Sequence, residues 1–210
     1  MRDKLQNKKK KREDKKTGII ESAAKVFAKK GFFGTVIQDI ATEAGIGKGT
    51  LYQYFKSKDD LFFAVFEWLF DELAGAAKVR VSTLGGPASA RLEALSDSLT
   101  NAVVELQDYF PLFMEFWAAS QASPNRDRFK QFFQQFYDEF RGLVISIIND
   151  GVERGEYRTD LDPKSIAAIL VGSWDGLLLQ TWFEDSFDPV ETARNFMTVL
   201  IRGLLVSVRT

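Results

Sequence analysis

The 210-residue chain has no cysteine and no histidine. Without cysteine there are no disulfides, thiolate metal sites or thiol nucleophiles, which fits a protein of the reducing cytoplasm. Without histidine the most common general base and the usual nitrogen ligand of metals are missing. The sequence also has no phosphate-binding glycine loop and no metal-ligand spacing. We therefore expect a cytoplasmic protein that is not an enzyme and that holds neither a metal nor another cofactor.

Positive and negative charges are unevenly distributed, although the net charge is only −1. Residues 1–60 hold 15 Lys and Arg against 8 Asp and Glu, a balance of +7, whereas the remainder holds 13 against 21, a balance of −8. This asymmetry is typical of a domain that binds nucleic acid or a membrane surface, joined to an acidic body. Residues 1–16 include nine basic side chains and little to bury, so we predict that they form a basic disordered tail.

One segment is apolar enough to imitate a membrane span. Residues 165–183 carry Asp175 as their only charge. An acid in the middle of a span costs about 2.5 to 3.5 kcal/mol on insertion scales, and Gly172, Gly176 and Gln180 make the segment less apolar still. We interpret it as a buried helix or a subunit interface and expect no membrane association.

The remaining sequence has helical periodicity and no alternation typical of strands. Helix-start signals comprise a capping box at Thr35–Gln38, a cap at Ser57, and three caps followed by proline, namely Ser123-Pro124, Asp162-Pro163 and Asp188-Pro189. Together these signals predict an all-α fold of about nine helices. We divide it into a three-helix N-terminal domain at 17–60 and a larger helical domain at 61–210.

Two short helices of the N-terminal domain are joined by the tight turn 44–47, which predicts a helix-turn-helix. At 100° per residue, Leu51 and Phe55 of the second helix point inward. The outer face is small, polar and basic, with Gly49, Thr50, Tyr52, Gln53 and Lys56. Such a face suits the major groove, because glycine permits close approach, hydroxyls bond base edges and glutamine pairs with adenine. A solvated surface helix has the same pattern, so the face alone leaves both interpretations open.

Residues 45–61, Gly-Ile-Gly-Lys-Gly-Thr-Leu-Tyr-Gln-Tyr-Phe-Lys-Ser-Lys-Asp-Asp-Leu, resemble the signature of the TetR family of transcriptional repressors. The resemblance is dense over residues 17–65 and only architectural beyond them. Gly47 stands where the family usually has a serine or threonine cap, a role that glycine also fills. The resemblance implies a repressor that binds a palindromic double-stranded operator and is released by a small apolar effector.

The resemblance also assigns residues to the DNA contact. It implies that Thr35 and Lys58 touch phosphates with their helix ends and that Lys48 and Tyr54 grip the backbone. It implies further that the face of the third helix reaches the bases through Gly49, Thr50, Tyr52 and Gln53. The basic run 8–12 would add an electrostatic arm along the backbone or in a minor groove, unless it is merely a solvated tail.

For the C-terminal domain the resemblance implies an effector pocket among the fourth to eighth helices and a dimer seam on the last two helices, 165–183 and around 196–204. Candidate pocket residues are Phe66, Phe110, Phe113, Glu115, Trp117, Phe133, Phe136, Trp174 and Asp175. The aromatic side chains suit an ordinary core equally well. Each acid either pairs with an arginine such as Arg141 or orients a polar or cationic group of the ligand. An alternative is a related DNA-binding protein whose body contacts a protein partner instead of a metabolite.

Overall fold

The computed structural model describes residues 2–122 and 126–206, and these ranges form nine α-helices and no β-strand. The predicted all-α class is therefore confirmed, whereas the predicted start at Ser123-Pro124 lies outside the described residues. A 3-10 turn, Gln107–Tyr109, precedes the sixth helix. The helices are α1 (Arg2–Gly34), α2 (Ile37–Glu43), α3 (Lys48–Tyr52), α4 (Lys58–Thr83), α5 (Ala88–Glu105), α6 (Phe110–Ala122), α7 (Arg126–Glu153), α8 (Pro163–Phe183) and α9 (Pro189–Leu204).

The chain divides into two compact units. The first comprises residues up to Glu72 together with Pro111–Trp117, and the second comprises Leu73–Phe110 and the chain from Ala118 onward. The predicted boundary after residue 60 lies near the start of α4, whereas the first unit extends to Glu72 and includes part of α6. The inclusion of this part of α6 could not be predicted, because it is distant in sequence from the rest of the unit and joins it only through packing.

Helix α1 corrects the prediction of a disordered tail, since it begins at Arg2. Residues 6–17 are exposed, so burial does not hold them in place. Lysine, arginine, glutamate and glutamine are good helix formers, and extending a helix that is already nucleated is far easier than starting one. The apolar turns from Ile19 to Phe27, which are buried, supply that nucleus.

The core of the first unit is aromatic. Phe27 of α1 meets Phe62 of α4 edge to face, with ring centroids 5.1 Å apart, and Phe62 lies 5.5 Å from Phe116 of α6. Phe66 stacks on Phe116 and meets Phe113 edge to face at 5.3 Å. Aromatic pairs in these arrangements contribute beyond the area they bury, so α1, α4 and the first-unit part of α6 are fastened together.

The second unit packs α5, α7, α8 and α9 around one core. Two of the predicted starts are confirmed, because Asp162 accepts a hydrogen bond from the Lys164 amide and Asp188 accepts from the Val190 and Glu191 amides, each before a first-turn proline. The α7–α8 turn is anchored by Glu156, which accepts from the Ala88 and Ser89 amides at 2.6 and 2.8 Å and so caps α5.

Helix α8 is long and apolar enough to cross a membrane by length and composition alone. The core of a water-soluble helical protein passes the same test, so this is weak evidence for a span. One face of α8 lies in the core of the second unit, with Ala167, Leu170, Val171, Trp174 and Leu177 buried.

Candidate nucleic-acid interface and ligand site

Helix α3 exposes the face that the sequence predicts. Leu51 and Phe55 are 0% and 2% exposed, whereas Tyr52 is 47% exposed. Gly49 and Gln53 are also exposed, and Thr50 is half-buried. No atom would obstruct a Cβ at Gly49 within 4 Å, so the backbone there is open to a close approach. The predicted orientation of this helix is therefore confirmed.

The turn between α2 and α3 has the geometry of a helix-turn-helix. Gly45 adopts φ +63°, a conformation that favours glycine. The Ile46 amide donates to the Ala41 carbonyl at 2.9 Å, and Ile46 itself is half-buried. Gly47 is the N-cap of α3 and supplies no side-chain hydrogen bond. The chain thus reverses in four residues and exposes α3 without a capping hydroxyl.

The capping box of α2 is displaced by one residue from its predicted position. The N-cap is Val36, and Asp39 rather than Gln38 reaches back, accepting from the Val36 amide at 3.1 Å. Lys30 pairs with the same carboxylate at 2.9 Å. The hydrogen bond from Lys30, followed by that from Val36, holds the pKa of Asp39 below its ordinary value.

Thr35 and Lys58, both predicted to contact phosphate, are engaged within the protein. Thr35 is 1% exposed, and its hydroxyl donates to the Gly31 carbonyl at 2.6 Å. The Lys58 ammonium donates to the Phe32 and Thr35 carbonyls at 2.7 and 3.0 Å and lies 4.2 Å from the centre of the Phe32 ring. A buried hydroxyl cannot reach DNA, so a phosphate contact at Thr35 would have to come from the backbone at the helix end, and that contact stays a prediction. Through these hydrogen bonds, Lys58 instead stabilises the segment between α1 and α2.

Glu115 braces the same segment from α6. Its Oε2 accepts a hydrogen bond from the Phe32 amide at 2.5 Å. Gly31, where α1 kinks, has φ 70° and ψ 168°, and a Cβ there would lie 2.6 Å from Oε1 of Glu115. Of the two interpretations left open for this acid, pairing with Arg141 is not the one seen, because the carboxylate meets a backbone amide 83 residues away and Arg141 bonds Asp138. Glu115 therefore belongs to the first unit, next to the helix-turn-helix.

The other predicted acid, Asp175, lies in the second unit and is bonded to α7. Its Oδ2 accepts from the Tyr137 hydroxyl at 2.7 Å. Burial, only partly offset by this hydrogen bond, raises the pKa of Asp175. Burial also raises the pKa of Tyr137, and the Asp175 hydrogen bond raises it further. Arg141, named in one of the two interpretations left open for this acid, makes no ion pair with Asp175 among the described contacts and lies 5.9 Å from the Tyr137 ring centre.

The structure brings only some of the predicted aromatic residues together around this acid. Phe133 and Phe136 lie 6.2 and 5.9 Å from the Tyr137 ring. Trp174, although next to Asp175 in sequence, lines an apolar groove of about 290 Å³ between α5, α8 and α9. Consecutive helical residues point about 100° apart, which accounts for the separation.

The remaining ligand candidates lie elsewhere. Phe110 is buried in the second unit, with its ring 5.0 Å from that of Trp182. Phe66 and Phe113 belong to the aromatic core of the first unit, and Trp117 is partly exposed on that unit. The predicted set is therefore distributed over both units rather than gathered in one.

Sequence comparison places this geometry in a family. Residues 19–65 match the N-terminal domain of the bacterial regulatory proteins of the tetR family, and residues 88–206, more than half of the chain, match the C-terminal domain of BetI-type transcriptional repressors. The chain belongs to the TetR family. It is thus a helix-turn-helix transcriptional regulator, and its relatives are regulators rather than enzymes.

Individual relatives of this TetR-family regulator span almost its whole length. It is 27% identical over 202 residues to the transcriptional repressor DhaR of Mycobacterium sp. (strain GP1), covering 90% of this chain and 91% of DhaR. It is 28% identical over 193 residues to the repressor KstR2 of Rhodococcus jostii, with 90% and 91% covered. A regulator from Saccharomonospora viridis, solved in complex with choline, shares the fold with a TM-score of 0.71, 22% identity and coverage of 93% and 99%.

Sequence reasoning missed four features of the regulator. The Glu115 bond to Phe32 and the Lys58 bonds to α1 carbonyls join residues far apart in sequence, and no local pattern signals such pairs. Tyr137 lies next to the predicted Phe136 on α7 but was not singled out, since its hydroxyl becomes conspicuous only when an acid is known to face it. Asp39 had no clear signal, because its N-cap is Val36 and a capping box usually begins with serine or threonine.

Proposed function

We propose that this TetR-family regulator represses transcription in the cytoplasm by binding a palindromic operator as a homodimer, and that a small molecule releases it. The exposed face of α3, in a chain of this family, carries the proposal. In this proposal Gln53 pairs with a base edge, Tyr52 and Thr50 bond bases or contact thymine methyls, and Gly49 lets the backbone approach. Lys48, exposed at the start of α3, and Tyr54 would hold the phosphate backbone.

Substituting a residue that contacts bases should affect DNA binding differently from substituting one that contacts the phosphate backbone. Gln53→Ala should relax base preference at one or two positions of a motif selected from randomised duplexes, by about 1 to 3 kcal/mol each. Lys48→Ala should weaken binding to all sequences alike and flatten its salt dependence, because a phosphate contact carries no base information. An unchanged selected motif for Gln53→Ala would remove Gln53 from the readout.

Apolar side chains exposed on α8 and α9 support the dimer. Ile169 and Phe183 of α8 are 72% and 75% exposed, and Val199 and Phe196 of α9 are also exposed. Exposed apolar groups in such number mark protein interfaces, and a twofold dimer matches a palindrome whose half-sites lie about 34 to 36 Å apart or modestly further. Sedimentation of the free protein tests this proposal, and Val199→Lys should shift the dimer toward monomer.

The effector site is proposed around the Tyr137–Asp175 pair. Aromatic side chains suit the apolar part of a ligand. A carboxylate among them suits a polar or cationic group, because the negative charge attracts a cation and aromatic faces also bind cations. The choline found with the Saccharomonospora viridis regulator is a ligand of that chemistry. The comparisons name transcriptional repressors and do not favour the alternative of a protein partner.

Choline and its neutral isostere, in which a tert-butyl group replaces the trimethylammonium, test the charge preference. If Asp175 orients a cationic group, choline should bind more tightly than the isostere, and Asp175→Asn should remove that preference. Coupling to DNA must be reciprocal, so operator should weaken ligand binding by the factor by which ligand weakens operator binding. Tryptophan fluorescence titrations with and without operator measure it, and equal ligand affinities would contradict release by the ligand.

A further inference from the structure

The helical extension at the start of α1 lies beside the recognition helix. Residues 6–17 of α1 are exposed, and the Arg12 guanidinium carbon lies 5.9 Å from the centre of the Tyr54 ring. Tyr54 directly follows Gln53 at the end of α3. The extension is therefore an ordered element of the first unit, and Arg12 fixes which side of it faces α3.

The basic side chains of the extension are sorted by face. At 100° per residue, Ile19, Ala23 and Phe27 share the direction of Arg12 to within roughly 60°, and all three are buried. Five basic side chains of the extension, and no acidic one, point in this same direction. They are Lys8, Lys9, Arg12, Lys15 and Lys16. The other charged side chains of residues 8–16 point roughly 100° or more away from Arg12, and their charges sum to zero. They are Lys10, Lys11, Glu13 and Asp14. We name the five cations the basic stripe.

Like charges one turn apart repel one another, so the basic stripe by itself destabilises the helix. A nearby polyanion would offset this repulsion. The stripe spans about nine residues, or about 13 Å of helix, and a DNA duplex carries one negative charge per about 1.7 Å of its axis. A duplex alongside therefore offers at least as many phosphates as the stripe has cations.

We propose that the basic stripe of α1 binds the phosphate backbone of the operator next to the groove that α3 enters. The contact continues from Tyr54 through Arg12 to Lys8 and lengthens the DNA covered by each protomer. Because it touches phosphates only, it adds affinity without base preference. This inference rests on the proposed operator binding and adds to it an ordered second element that contacts the same duplex.

Two charge-matched double variants test the stripe. Lys8→Gln/Lys16→Gln removes two cations from the stripe, and Lys10→Gln/Lys11→Gln removes two from the other face, while glutamine keeps helix propensity in both. Operator affinity is measured between about 50 and 200 mM salt. Each lost phosphate contact should flatten the slope of log K against log salt by about 0.9. The stripe variant should therefore lose about 1.8 per protomer, and the control variant much less.

Further readouts separate the possible outcomes. The motif selected from random duplexes should be unchanged in both variants, and hydroxyl-radical protection should retreat at the outer edges of the operator only in the stripe variant. Equal slopes for the two variants, with operator preference intact, would overturn the stripe contact alone. Loss of preference for any sequence in the unmodified protein would instead overturn the proposed function and the stripe with it. Stripe-dependent binding to vesicles of anionic lipid, without a change in the DNA slope, would assign the stripe to a membrane surface and likewise overturn the proposal.

Discussion

Gly31→Ala should destabilise the first unit through two separable effects. The first is backbone strain, because Gly31 has φ 70° and ψ 168°, a region essentially restricted to glycine, where another residue costs about 1 to 3 kcal/mol. The second is a collision, since the added Cβ would lie 2.6 Å from Oε1 of Glu115. The carboxylate must then leave the Phe32 amide that it accepts from at 2.5 Å.

The loss of that charged hydrogen bond costs about 1.5 to 3 kcal/mol, so the two effects together amount to about 2.5 to 6 kcal/mol. In a Glu115→Ala background the bond is already lost and the collision is absent. Gly31→Ala should then cost only the strain of about 1 to 3 kcal/mol. The coupling free energy between the two sites is therefore expected to be about 1.5 to 3 kcal/mol.

Urea denaturation of the four proteins at one fixed protomer concentration measures this coupling, because dimer stability depends on concentration. Gly34→Ala is the matched control, since a Cβ there meets nothing closer than 3.9 Å, and it should change the free energy of unfolding by less than about 1 kcal/mol. If the Gly31 and Glu115 effects add to within about 0.5 kcal/mol, the proposed link between α6 and the α1–α2 segment is refuted.

Three further predictions concern other braces of the fold. Lys58→Met should cost about 1.5 to 3 kcal/mol of stability by removing a charged donor from the carbonyls that close α1, whereas Lys56→Met on the exposed surface should stay within about 0.5 kcal/mol by urea denaturation. Tyr157→Phe should be neutral or stabilising, because the buried Tyr157 hydroxyl has no partner among the described residues; a loss above about 1 kcal/mol would contradict this. The raised pKa of Asp175 means that the folded state keeps its proton to higher pH than the unfolded chain, so stability should fall as pH rises from the ordinary value of 3.8 through the raised one. Asp175→Asn should remove that fall in urea midpoints compared across this range, and an identical pH profile for both proteins would count against it.

The features that sequence predicted correctly are those set by local rules. Periodicity placed Leu51 and Phe55 inward and Gln53 outward on α3, because the direction of a helical side chain follows from its position. Caps at Asp162 and Asp188 were predictable for a related reason, since an acid before a first-turn proline satisfies amides only a few residues away.

The features that sequence did not predict depend on tertiary contacts or on competing local rules. The extension of α1 to Arg2 was misjudged because low hydrophobicity was weighed above helix propensity. The partners of Glu115 and Lys58 lie far away in sequence. Trp174 and Asp175 were assigned to one pocket, whereas the helix points them toward different neighbours.

The most direct test of the account is a competition between two duplexes of the same composition, one carrying the palindrome selected from random DNA and the other a scrambled version. Specific binding predicts that the protein prefers the palindrome by about a thousandfold or more at physiological salt. Gln53→Ala should reduce this ratio, whereas Lys48→Ala should weaken both duplexes and leave the ratio in place. A ratio near one for the unmodified protein would contradict operator recognition by α3.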